Sequence, residues 1–215
     1  MKVIKPSWRI AALTEAEPVR LMKHLEAMGR ICYQSEDAIT DTSYDKFLRG
    51  VIKRGHEAVL EHASVTAVVI CDRGISHEIV RHRIAAYCQE STRYCNYSKG
   101  KFGNELTVVE QPFWDQESIE YATWKHACEV AEAAYFDLLN EGATPQQARD
   151  VLPTSTKTQI AITMNIREWR HFFRLRCNPA AHPQMVEIAC KGLVEFYDYF
   201  PCLFEDIYQE VFKND

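Results

Sequence analysis

The chain has 215 residues, with 30 acidic against 25 basic side chains and a formal net charge of -5. Its 47% hydrophobic and 26% charged content is that of a soluble globular protein able to bury a core. The acidic balance weighs against a nucleic-acid binder, whose domains carry a basic excess on at least one face.

Residues 3–13, VIKPSWRIAAL, predict a strand, with Pro6 favouring an edge position or a bend. From Pro18 to Tyr33 the apolar positions Val19, Leu21, Met22, Leu25, Met28 and Ile31 recur at helical spacing. A second helix is expected over Tyr44–Lys53, stopping near Gly55. SVTAVVIC (64–71) is β-branched and apolar and predicts a strand. After Asp72-Arg73-Gly74, the segment ISHEIVRHRI (75–84) alternates too slowly for a strand and predicts a helix with Ile75, Ile79 and Val80 inward.

STRYCNYS (91–98) reads as a strand or extended loop, KGKFGNE (99–105) as a turn and LTVVE (106–110) as a strand. Gln116–Leu139 is the longest helical pattern, with Ala127, Val130, Ala131, Ala134 and Leu138 on one face. Thr144 and Pro145 supply a cap and a first helical proline, opening a short helix that closes before Pro153. TQIAITMN (158–165) predicts a strand, IREWRHFFRLR (166–176) a helix, and His182-Pro183 the start of a helix running to about Phe200. Helices and strands in this order lack regular βαβ alternation and show no internal repeat. They predict one α+β domain over 1–215, with a mixed or antiparallel sheet packed with several helices.

No stretch approaches the ~20 apolar residues of a membrane helix, and MKVIKPSWRIAAL lacks the apolar run of a signal peptide. The eight cysteines are irregularly spaced and form no C-x-x-C. Reduced thiols in a cytoplasm are therefore expected.

The chemistry-bearing patterns narrow next. HEAVLEH (56–62) and HEIVRH (77–82) miss the H-E-x-x-H zinc spacing, because Leu60 and Arg81 stand where the second histidine belongs, so no metal site is expected. Both glycine-rich phosphate loops are absent, so any phosphate must be held by side chains, a task suited to the planar fork of arginine. RHRIAAYCQESTRY (81–94) concentrates such groups: Arg81, His82, Arg83 and Arg93. On the expected helix Arg81 and Arg83 stand about 200° apart, which implies two adjacent sites or one at a helix end. A solvated basic helix end paired with Glu78 and Glu90 accounts for the same charges. Cys88, flanked by arginines, is a candidate nucleophile, although a buried inert thiol is commoner.

Arg81-His82-Arg83, seven residues and then Ser91 resemble the signature of flavin-dependent thymidylate synthases. GHEAVLEHASVTAVVI upstream, and ARDVLPTSTKT, TMNIREWRHFFRLR and AHPQMVEIA downstream, resemble that family's other blocks in order, so the resemblance covers nearly the whole chain. Ala86, Cys88 and Gln89 depart from the Ser, Asn and Glu that the fuller pattern often carries.

The resemblance implies that fold, with conversion of dUMP to dTMP, methylenetetrahydrofolate as carbon donor and FAD reduced by NADPH. It implies that Arg81, His82, Arg83, Glu61, Asn165 and His171 serve the flavin, with His56 a weaker candidate. Gln89, Ser91, Arg93, Arg149 and Arg176 would then hold the nucleotide, with Arg176 and secondarily Arg93 stabilising charge on the uracil. Asn165 is also placed to cap the helix that starts at Ile166, and His56 and His171 suit structural histidines equally. The family further implies a homotetramer with sites completed by neighbouring chains, and a mechanism that leaves Cys88 idle. Two other readings stay open: a nucleotide-binding regulator without turnover, and a thiol-dependent transferase using Cys88.

Overall fold

A computed structural model of the chain describes residues 1–11, 16–100 and 103–213. The chain divides into two compact units that alternate along the sequence. The first comprises Met1–Ser7, Val69–Arg81 and Cys88–Ile160, and the second Trp8–Val68, His82–Tyr87 and Ala161–Asp215. Helices and sheets both occur among the described residues, as the α+β expectation requires.

Strands β2 (Ser7–Ile10), β3 (Ser64–Asp72), β4 (Ala86–Gln89) and β6 (Lys157–Asn165) form a four-stranded sheet in the order β2-β3-β6-β4. Burial alternates along β3 and β6, the two-residue period of a strand with one face turned to a core.

In the first unit, β1 (Lys2–Ile4) pairs in parallel with β5 (Thr107–Val109), with Lys2 opposite Thr107 and Ile4 opposite Val109. Val108 also bridges to Thr156 in antiparallel sense. Helix α4 (Ile119–Asn140) begins at Ser118, whose side chain accepts from the Tyr121 amide at 3.1 Å. It lays Cys128 and Tyr135 into a core with Tyr97, Leu106, Val108 and Ala148. The short helices α3 (Arg73–Ile79) and α5 (Pro145–Ala148) complete this unit. Asp72 Oδ1 accepts from the Ile75 amide at 2.7 Å, so β3 turns directly into α3 on a side-chain cap.

The second unit holds α1 (Glu17–Ile31), α2 (Ser43–Lys53), a 3-10 turn at Glu57–His62, α6 (Ile166–Arg176), α7 (Pro183–Tyr199) and α8 (Pro201–Phe212). Its core is aromatic. Trp8, Trp169, Phe172, Phe173, Phe196 and Phe204 meet at ring separations near 5–6 Å, mostly edge-on or tilted, the geometry that ring quadrupoles favour. A Cβ on Gly192 would lie 2.6 Å from the Trp8 ring, so α7 approaches that indole only because this position is glycine. Arg170 is buried in the same unit, with Asp206 at 2.8 and 2.6 Å from its two terminal nitrogens and the Leu203 carbonyl accepting from one of them.

Two expectations need correction. The strand over 3–13 is two strands broken at Lys5-Pro6, and residues 12 and 13 lie outside the described residues. The helix over 75–84 ends at Ile79, and Ala86–Gln89 instead joins the sheet as β4. Of the strand and loop alternatives for residues 91–98, the chain takes the loop, folded into turns. The turn at 99–105 is present at Gly103 and Asn104, both at positive φ, while residues 101 and 102 lie outside the described residues. No helix among the described residues is long and apolar enough to cross a membrane.

Candidate functional site

Helix α6 organises the second unit's polar cluster. Asn165 Oδ1 accepts from the Glu168 amide at 2.8 Å, which fixes where the helix starts. Trp169, Phe172 and Phe173 anchor one face in the aromatic core and leave Glu168, His171 and Arg176 for other work. Glu168 is the third helical residue, where a glutamate ordinarily reaches back to complete a capping box. Here it turns to His82: Glu168 Oε1 lies 3.1 Å from His82 Nδ1.

His82 is held from every side within this unit. Arg176 Nε donates to His82 Nε2 at 3.0 Å, and the imidazole packs 5.0 Å from Phe172 and 5.7 Å from His171, centroid to centroid. The Tyr87 hydroxyl donates to the His82 carbonyl. Burial raises the Tyr87 phenol to about 12, so that donor stays protonated. Burial also pushes the His82 imidazole below its ordinary value; Glu168 opposes the shift, while Arg176 and His171 add to it.

Beside this cluster a cavity of about 460 Å³ gathers Glu61, Asn165 and His171 together with Glu57, Arg167 and Arg174. The volume falls in the range of small-molecule and cofactor sites, about 300–1,000 Å³. Arg167 pairs with Glu61 and lies 3.7 Å from Glu57. Carboxylates that accept from hydroxyls beside guanidinium forks that donate to phosphates suit a ligand carrying both sugar and phosphate groups.

The first unit holds the other candidates. Gln89 Nε2 donates to Ser76 Oγ at 2.9 Å and Thr158 Oγ1 at 3.1 Å. Ser91 opens a tight turn, its carbonyl accepting from the Cys95 amide at 2.9 Å. Arg93 Nε donates to Gln146 Oε1 at 3.0 Å, and Arg149 Nη1 to Thr92 Oγ1 at 3.4 Å. The 91–95 turn is thereby tied at two points to the α5 segment, which brings Ser91, Arg93 and Arg149 into one neighbourhood.

The Arg-His-Arg segment itself corrects the helical expectation. It lies beyond α3, so the 200° offset between its arginines does not apply, and the argument for two sites loses that support. Arg81 and Arg83 are exposed, whereas His82 between them is buried. His56 is exposed, with Nδ1 3.0 Å from the Tyr33 hydroxyl, and Cys88 is exposed on β4.

Sequence reasoning missed Glu168, Arg167 and Gln146. Glu168 sits one turn after the Asn165 cap, a position whose ordinary use is local, and nothing nearby in the sequence signals its contact with His82. His82, Glu168 and His171 also place one ligand atom each within 4.8 Å of the others, a spacing open to a divalent cation. Such an ion would have to break a His82 hydrogen bond beside the Arg176 guanidinium, which disfavours it.

Residues 19–202 match the family model described as thymidylate synthase complementing protein. The flavin-dependent thymidylate synthase of Pyrococcus furiosus is 36% identical over 168 residues, 78% of this chain and 68% of that protein. That of Pyrococcus abyssi is 34% identical, covering 75% of this chain and 66% of the relative, and that of Geobacter sulfurreducens 32% identical, covering 83% and 78%. Among solved structures, the UMP/dUMP methylase PolB from Streptomyces cacaoi, bound with 5-Br dUMP, superposes with a TM-score of 0.73 over 95% of this chain and 96% of that one. At 22% identity this likeness establishes the fold alone.

Proposed function

The chain belongs to the flavin-dependent thymidylate synthase family, and from that membership we propose that it methylates dUMP to dTMP, with methylenetetrahydrofolate as carbon donor and FAD reduced by NADPH. The observation that carries this reading is the cavity in which Glu61, distant in sequence, stands with Asn165 and His171 of the α6 segment beside the buried His82, whose ring accepts from the half-buried Arg176. Relatives named as flavin-dependent support the flavin, and a fold shared with a methylase bound to a uracil nucleotide supports the substrate class.

The cavity's donor set fits the adenosine diphosphate half of FAD. Glu61 would accept from ribose hydroxyls, Arg167 would offset the diphosphate charge, and Asn165 and His171 would add polar contacts, with the exposed Arg81 and Arg83 available to the same anionic ligand. FAD, when bound, supplies the two-electron reduction that turns a transferred methylene into a methyl group. Ser91, Arg93 and Arg149 would hold the nucleotide, arginine forks matching its phosphate, and Gln89 would meet its base. Arg176 would stand at a uracil carbonyl and stabilise the negative charge that develops there when C5 takes the new carbon. In the proposed homotetramer, side chains of neighbouring subunits would complete each site.

The test is dTMP formation from dUMP with FAD, NADPH and methylenetetrahydrofolate, read beside the absorbance of the purified protein. Flavin absorbance with turnover is expected. Nucleotide binding without turnover would leave the regulator reading standing, and flavin-independent turnover abolished in Cys88→Ser would favour the thiol transferase.

A further inference from the structure

The bond between Arg176 and His82 fixes the histidine's proton. A guanidinium carries only donors, so His82 Nε2, 3.0 Å from Arg176 Nε, must accept and therefore holds no hydrogen. The neutral ring then carries its proton on Nδ1, which points at Glu168 Oε1, 3.1 Å away. Glu168 and His82 are both among the buried polar residues, and the Tyr87 hydroxyl holds the backbone of His82 from the other end. Glu168 is thus the acceptor that favours the tautomer able to receive Arg176.

We infer that Glu168 is a positioning residue for the methylation chemistry: it sets His82 as the Nδ1–H tautomer, and the bare Nε2 of that tautomer aims the Arg176 guanidinium. The opposite tautomer would put an N–H against an N–H at the Arg176 contact and turn the fork away. A hydrogen bond to one ring nitrogen deciding what the other can do is the usual means by which proteins specify imidazole function. The aimed guanidinium, in turn, is what an electrostatic role demands, since a charge works best when its orientation costs nothing at the moment of reaction. Arg176's part at the uracil rests on the proposed function; the tautomer does not.

Two measurements separate the layers. Nitrogen NMR of the free protein, labelled at histidine, reads the His82 ring with no ligand present. Nδ1 protonated and Nε2 bare is expected in the wild type and in Glu168→Gln, whose amide oxygen accepts the same bond; Glu168→Ala should give averaged, mixed-tautomer shifts. Kinetics then read the consequence: Glu168→Ala should raise KM for dUMP or lower kcat about tenfold, with Glu168→Gln recovering most of the loss. A wild-type Nε2–H signal overturns the inference, as does Glu168→Ala with an unchanged spectrum and unchanged kinetics. Should Glu168→Ala not fold, the wild-type and Glu168→Gln spectra decide. If the wild type forms no dTMP, the proposed reaction fails while the spectra still decide the tautomer.

Discussion

Gln146 Oε1 accepts a hydrogen bond from Arg93 Nε at 3.0 Å, so the exposed arginine nearest the signature serine is steered by an amide that no motif announced. The bond occupies Nε and leaves the orientation of the guanidinium set by a residue of α5. Gln146→Ala should therefore loosen Arg93 without removing its charge. A hydrogen bond contributing about 1 kcal/mol corresponds to roughly fivefold in affinity. The expected outcome is a KM for dUMP raised about that much, with kcat nearly unchanged. Initial-rate kinetics check it, and an unaltered KM would detach Gln146 from the nucleotide.

Much of the fold was legible in the sequence. The strands at 64–72 and 157–165 and the helix at 166–176 carry unambiguous periodicity, and each is present within a residue or two. The segment after Ile79 was not legible, because Val80 and Ile84 continue a helical spacing that the fold spends otherwise: both side chains are exposed. Helix α8 escaped because no polar cap precedes it; Pro201 at its first position was the one available signal. For the candidate site, Glu61, Asn165 and His171 were legible through their motifs and do share a cavity. Glu168 and Gln146 were not, since their use depends on residues 86 and 53 positions away.

The buried Arg170 makes a stability prediction. Asp206 pairs with both of its terminal nitrogens, and Asp206→Ala would leave that charge with Glu57, 3.7 Å away, as the remaining carboxylate partner among the described residues. Losing one partner of a fully buried pair costs about 3–5 kcal/mol. Asp206 is itself part-exposed, so about 2 kcal/mol is expected here. Burial raises the Asp206 pKa, but hydrogen bonding and charge from Arg170 outweigh it and leave the carboxyl below its ordinary value. A depressed carboxyl stabilises the fold above its unfolded pKa of about 3.9, and that contribution is lost as pH falls through the folded value. Urea melts of wild type and Asp206→Ala at pH 7 and pH 3 should converge at the lower pH; a constant gap would refute the pairing.

His82 should set another acid limb. Its folded pKa lies below the ordinary value, with burial the main cause, so beneath about pH 6.5 the unfolded chain binds more protons than the folded one. Stability must then fall on acidification from neutrality. Protonation would also place a hydrogen on Nε2, against Arg176 Nε. His82→Gln, which cannot titrate, should show a shallower loss of Tm between about pH 7 and pH 5. Equal slopes in the two proteins would remove His82 from the acid response.

Cys88 and Arg176 give opposite expectations, and together they test the chemistry. Cys88 is exposed on β4, and a thiolate adding to a uracil ring is plausible chemistry in itself. The proposed route leaves that thiol without a task, since the reducing electrons come from the flavin and the charge on the ring is met by arginine. Cys88→Ser should then retain dTMP synthesis within roughly tenfold, a barrier change of about 1.4 kcal/mol. Arg176→Ala removes a charge-assisted donor and also strips His82 Nε2 of its partner. Its loss should be far larger, about 100-fold or more in kcat/KM, as for other donors aimed at developing oxyanions. Both variants should be assayed at saturating FAD and NADPH, so that the comparison reads the nucleotide chemistry alone. A dead Cys88→Ser beside an active Arg176→Ala would overturn the mechanism and return the thiol to the centre of the reaction.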